Sequence, residues 1–158
     1  MSNLPSSAQR VVDAATNHGL TLQISEYPDG TRTANDAAAA VGCEVGQIVK
    51  SLIFSVDGEL VLALTSGSNR VDTAKLTAAA GGHGCDRADA DQVREVTGYA
   101  IGGVPPFGHA QPVRSFFDPA LDQFETVWAA AGTPRHVFAI SPAELLAATG
   151  ATSAEFTE

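Results

Sequence analysis

The sequence predicts an α+β domain: a mixed, strongly curved and partly barrel-like sheet with helices packed outside it. Amphipathic helical segments interrupt β-rich runs along the whole chain. Asp57-Gly58, set between two such runs, is a strong short-range hairpin signal. Strands also outnumber what simple βαβ alternation would supply. With 158 residues and 44% hydrophobic content, the chain is long enough to bury a real core and is expected to form one domain over 1–158, its core spanning about 20–150.

Residues 7–18 read as an amphipathic helix with Val11, Val12 and Ala15 on its apolar side and Gly19 placed to end it. A strand is expected over 21–27. Thr33 is a plausible N-cap for an alanine-rich helix over 34–41 that Gly42 closes. A short turn at 44–47 leads into the hairpin around Asp57-Gly58. After a polar loop at 66–72, Asp72 caps a helix reaching Ala80, and Asp89 or Asp91 starts another running to Thr97. Segments 112–117, 124–130 and 136–140 read as strands, and Pro142 suits the first turn of a last helix over 143–149. Residues 150–158 are expected to fray.

Eighteen acidic residues against nine basic ones give a formal net charge of −9, which argues against a protein that tracks a long phosphate backbone, DNA included. A small local cationic site contacting only the end of a nucleic acid stays compatible with that charge. No apolar run approaches the length of a membrane span, and the N-terminal stretch lacks the pattern of a signal peptide, so the protein is expected in the cytoplasm with no membrane partner. Cys43 and Cys85 are isolated, and the four histidines lack paired metal-ligand spacing. No metal and no cofactor are therefore expected.

Two features carry chemistry. The first is Gly98-Tyr-Ala-Ile-Gly-Gly-Val-Pro-Pro-Phe-Gly108, four glycines and two consecutive prolines in one loop. Glycine lets a ligand approach the main chain, and proline fixes φ while removing a donor. Such a loop can hold its remaining amides toward one point. The second is Lys50, which by strand alternation shares a face with Leu52, Phe54 and Val56. Lysines avoid apolar faces unless they are paired or employed, although snorkelling to solvent is the ordinary alternative.

Together, Ile48-Val-Lys-Ser-Leu52 and Tyr99-Ala-Ile-Gly-Gly-Val-Pro-Pro-Phe-Gly108 resemble the YbaK family, which belongs with the editing insertion domain of bacterial prolyl-tRNA synthetase. The resemblance extends over Thr33-Ala-Asn-Asp-Ala-Ala, Arg70-Val-Asp-Thr-Ala-Lys-Leu76, Phe117-Asp118 and Trp128-Ala-Ala-Ala-Gly132. It implies a free-standing aminoacyl-tRNA deacylase that hydrolyses the ester of a mischarged small amino acid, on a mixed α/β fold with a curved, barrel-like sheet. The implied partner is the acceptor end of aminoacyl-tRNA, with an aminoacyl-tRNA synthetase or elongation factor as a protein partner.

Lys50 matches the family's functional lysine, and Gly102 to Pro106 match its G-x-x-x-P loop. Gly102 and Gly103 are then the catalytic loop residues. Tyr27, Ser51, Val104, Pro105, Pro106, Phe107 and His136 are expected to bind substrate. Pro105, where many relatives carry a hydroxyl residue, and Ala130, where some carry Ser, bear on amino-acid specificity. In the chemistry implied, preorganised amides stabilise a tetrahedral oxyanion, and only Gly102, Gly103 and Val104 keep an N–H, since Pro105 and Pro106 cannot donate. No Ser-His-Asp or Cys-His arrangement is visible, so a hydroxyl of the tRNA is the candidate activator of water. A non-catalytic domain that binds aminoacyl-tRNA or a translation factor is the alternative reading.

Overall fold

The computed structural model describes residues 4–31 and 33–158; the first three residues of the stretch read for a leader, and Arg32, lie outside them. Among these residues five α-helices, α1 (Ser6–Asn17), α2 (Ala34–Val41), α3 (Thr73–Ala80), α4 (Ala90–Thr97) and α5 (Pro142–Thr149), surround one eight-stranded sheet. Its strands are β1 (Ile24–Glu26), β2 (Ile48–Val56), β3 (Glu59–Ser66), β4 (Cys85–Arg87), β5 (Arg114–Phe117), β6 (Val127–Ala130), β7 (His136–Ile140) and β8 (Thr152–Ser153). The order is β1-β7-β6-β2-β3-β5-β8, with β4 added to β2. Pairing is mixed: β2 runs parallel to β6, and β3 to β5, whereas the β2–β3 hairpin is antiparallel. The sheet is mixed as expected but does not close into a barrel, because β1 and β8 end it.

Local chemistry places most elements. Asp57 at φ 52° and Gly58 at φ 89° occupy the left-handed region that a two-residue hairpin turn demands. Thr33, Asp72, Asp89 and Ser141 each accept a main-chain N–H at the start of α2, α3, α4 and α5. On one face of the sheet Val49, Ile53, Leu62, Leu64, Phe117 and Phe138 bury against Val11 and Ala15 of α1, Val93 of α4 and Leu145 of α5. On the other, Phe54, Val56, Val61, Ala63 and Phe116 pack against Leu76 of α3.

The C-terminal segment does not fray. β8 pairs with β5, Phe156 is fully buried, and the Asp72 amide donates to the Phe156 carbonyl. The strand expected over 21–27 shrinks to three residues, and β4 and β8 form where no strand is expected.

Candidate active site

β2 is shared unequally along one edge. β6 pairs with it only at Ile48 and Val49, and β4 only from Phe54 to Val56. Between them lies a gap beside residues 50–53. In the β2–β3 hairpin alternate residues turn their main-chain groups toward the partner strand; Val49, Ser51 and Ile53 turn theirs toward the gap edge. β6 covers Val49, and the Ala88 amide donates to the Ile53 carbonyl at 3.2 Å. The Ser51 main chain is left without a strand partner.

A cavity of about 340 Å³ fills this gap. Six consecutive residues, 48–53, contribute to its wall, which one face of an alternating strand cannot do. The cavity therefore meets β2 along its edge. Ala129, Ala130, Trp128 and Val137 form an apolar side, Thr31, Thr33 and Ala37 another, and Ile101, Gly102 and Val104 lie across it. Gly102 sits at φ 95°, a conformation that strains residues with a Cβ. Among the described residues, the Gly102 and Val104 amides donate to no protein acceptor, so two neighbouring donors of the loop remain for a ligand.

Lys50 supplies the charge. Its ammonium donates to the Asn69 carbonyl at 2.6 Å. Asn69 Nδ2 in turn donates to Asp118 Oδ2 at 2.9 Å, and that buried carboxylate also accepts the Ser66 amide at 3.0 Å and, through Oδ1, the Ala120 amide at 2.9 Å. Asp118 thus fixes the loop that holds the lysine. Burial first, then the charges of Arg70 and Arg87, push the Lys50 ammonium below its ordinary value, against the opposing pull of Asp118. Ser51 Oγ is buried and has no hydrogen-bond partner among the described residues.

Of the residues expected at the site, Lys50, Ser51, Gly102 and Val104 line the cavity. Gly103 differs from its neighbour. Its amide donates to the Ala100 carbonyl at 3.0 Å, and a Cβ there would come within 2.8–2.9 Å of the Thr133 backbone; it packs the loop down, and its N–H is not presented to the cavity. Pro105 and Pro106 are buried outside the lining. Phe107 is a core residue, its ring 5.8 Å from that of Phe138. Tyr27 is half-buried away from the cavity, its amide donating to the Arg135 carbonyl.

His136, also expected to touch substrate, is 5% exposed and does not line the cavity. Its Nδ1 lies 2.6 Å from Thr133 Oγ1, which also accepts the Arg135 amide. Since Gly103 packs on Thr133, His136 reaches the loop through that turn. His109 holds the loop's other end, with Nε2 2.7 Å from the Pro105 carbonyl. Burial pushes His109 below its ordinary value, against the opposing effect of that carbonyl; since a carbonyl only accepts, Nε2–H is the donor. Asn69 and Thr133 escape sequence reasoning altogether, because each works through a contact distant in the chain. No group of three His, Cys, Asp or Glu side chains able to hold a metal occurs among the described residues.

A family model for the aminoacyl-tRNA editing domain matches residues 28–148, a span that contains every residue of the cavity wall. The chain belongs to that family. Among relatives of this editing domain, an uncharacterized protein of Bacillus subtilis, YwhH, is 31% identical over 123 residues, covering 77% of this chain and 78% of YwhH. A proline–tRNA ligase of Pelotomaculum thermopropionicum is 30% identical over 142 residues, covering 89% of this chain but 25% of the ligase. The chain thus spans a quarter or less of the ligases it matches, such as 14% of that from Maridesulfovibrio salexigens. A crystal structure of a protein put forward as a trans-editing enzyme for prolyl tRNA synthetase superposes with a TM-score of 0.93 at 49% identity, covering 99% of both chains.

Proposed function

We propose that this editing domain is a cytoplasmic aminoacyl-tRNA deacylase acting in trans, which hydrolyses the ester of a small, wrongly attached amino acid at the acceptor end of tRNA. The observation that supports the reading is the break in the sheet: a cavity with an apolar wall, one lysine, and two unengaged amides across from it. An ester carbonyl set between β2 and the loop would develop negative charge as water attacks it, and the Gly102 and Val104 amides would stabilise that oxyanion. The carbonyl carbon gains the water oxygen, the bond to the ribose oxygen breaks, and the ribose oxygen takes up a proton as the free amino acid leaves. Lys50 acts by charge, positioning the ribose or terminal phosphate, held in place by the Asn69 carbonyl. A ribose hydroxyl fits the role of water activator, since no histidine among the described residues lines the cavity.

The volume, at the small end of ligand sites, and its alanine-rich wall favour alanine, serine, cysteine or threonine esters. The match to proline–tRNA ligases makes proline tRNA the first choice of carrier and a prolyl-tRNA synthetase a candidate partner. The test is single-turnover incubation with proline tRNA charged with each of these amino acids, and with phenylalanine for contrast. Faster release of a small amino acid than in buffer is expected; no acceleration with any ester would refute the reading and favour a domain that binds aminoacyl-tRNA without hydrolysing it.

A further inference from the structure

Some of the chain's basic residues are occupied. Arg10 stacks on the Tyr99 ring, Arg114 meets Glu59 and the Ala80 carbonyl, and Lys75 donates to the Thr157 carbonyl. Among the described residues four exposed arginines, Arg70, Arg87, Arg94 and Arg135, have no carboxylate or other side-chain acceptor. Of these, Arg87 lines the cavity, and Arg70 follows Asn69, whose carbonyl holds the Lys50 ammonium.

Nearby acids do not neutralise them. Each arginine stands two residues before an aspartate, but Asp72 is taken by the Ala74 and Lys75 amides and Asp89 by the Gln92 amide. Asp118 is buried on three donors. Glu158, whose amide donates to the Arg70 carbonyl, makes no ion pair with its guanidinium. The backbone under both arginines is also pinned. Arg70 is fixed through its own carbonyl and through the bridge of Val71 to Thr157, and Arg87 through its pairing opposite Phe54. Arg70 and Arg87, whose charges both reach Lys50, thus make no ion pair among the described residues, in a chain of formal charge −9. Like charges so gathered repel until an anion sits between them.

We infer that Arg70 and Arg87 form a phosphodiester clamp that grips the last internucleotide linkages of a single-stranded RNA 3′ end while its terminal nucleoside enters the cavity. The inference rests on the functional reading above for the identity of the strand. It adds a phosphate site built on Arg87 in the cavity wall and on Arg70, side chains that take no part in ester cleavage.

The probe is a CCA trinucleotide, whose affinity is measured across a salt series for wild type, Arg70→Gln and Arg87→Gln. Abolishing one arginine–phosphate pairing should take about 0.7 off the slope of log affinity against log salt. Each substitution should weaken binding up to about fivefold at low salt. The same trinucleotide with uncharged methylphosphonate linkages should bind wild type weakly and with little salt dependence, a comparison that needs no variant to fold. Unaltered slopes in both variants, equal binding of the uncharged trinucleotide, or no binding of the natural one would overturn the clamp. Hydrolysis of a phosphate-free aminoacyl-adenosine tests the catalytic reading separately. It should survive in Arg70→Gln, and its absence in wild type would refute the deacylase while the slopes still decide the clamp.

Discussion

Replacing Gly103 with alanine tests how the loop is held. The added Cβ would stand 2.8–2.9 Å from the Cα, C and N atoms of Thr133, so relief requires a movement of about 0.6 Å to reach ordinary contact. No flexible side chain can absorb it, because all three atoms are backbone. The Thr133 turn is itself braced, its hydroxyl bonded to His136 and to the Arg135 amide. Overpacking of this kind costs about 1–3 kcal/mol, and a domain of this size loses about 2–4 °C per kcal/mol, so Tm should fall by about 2–12 °C. The loop is the part that yields, which carries the Gly102 and Val104 amides off their mark. Displacements approaching 1 Å cost about 10²-fold in rate, so a loss on the order of tenfold or more is expected in the molecules that remain folded. Thermal unfolding beside single-turnover deacylation reads both quantities. Wild-type Tm together with wild-type turnover would show that Gly103 neither packs nor positions the loop, and the account of the site would fail.

Lys50→Met should lose about 10²-fold or more in deacylation if the cation supports the transition state; unchanged turnover in the folded variant removes it from the chemistry. The pH dependence has a definite sign. Folding lowers the lysine's affinity for its proton, so below the lowered value the penalty of burying the charge is fully present. Between that value and the ordinary 10.5 the unfolded chain binds more protons, and wild type should gain stability relative to Lys50→Met as pH rises. A gap in Tm that stays flat across alkaline pH contradicts it. Ser51→Ala deletes a buried hydroxyl that has no partner, so Tm should hold or rise while deacylation falls about tenfold; a lower Tm with full activity would show that the hydroxyl serves the fold instead. Asp118→Asn turns a buried triple acceptor into a group that must face one donor with another, which should cost about 1–3 kcal/mol and slow turnover by loosening Asn69, both read by calorimetry and single-turnover assays.

Much of this was legible in the chain because it is local. The αL pair at Asp57-Gly58, the caps at Thr33, Asp72 and Asp89, and the alternation that puts Lys50 on the side of Leu52 and Phe54 are decided within a few residues. β4 and β8 were not legible, since three and two residues carry no periodicity and exist only because β2 and β5 offer an edge. The same holds for the site. Lys50, Ser51, Gly102 and Val104 can be picked from their motifs, but Gly102 and Gly103 look alike in sequence and part company only where Thr133 closes over one of them. Phe107 and His136 fail as cavity residues because the chain doubles back to bury them, a fact that belongs to pairing distant in sequence.

The unpaired stretch of β2 is an internal strand edge, the kind of surface on which extended polypeptides add themselves and through which proteins aggregate. Here the opening is about four residues long, some 13 Å at the rise of a strand, and stopped at both ends by β6 and β4. A second chain has no room to lie down in it, whereas the single residue carried by an ester needs no more than that. Narrowness, as much as the chemistry of the wall, keeps peptides and nascent chains from competing for the slot, and a substitution that peeled β4 from β2 would trade that exclusion for a sticky seam.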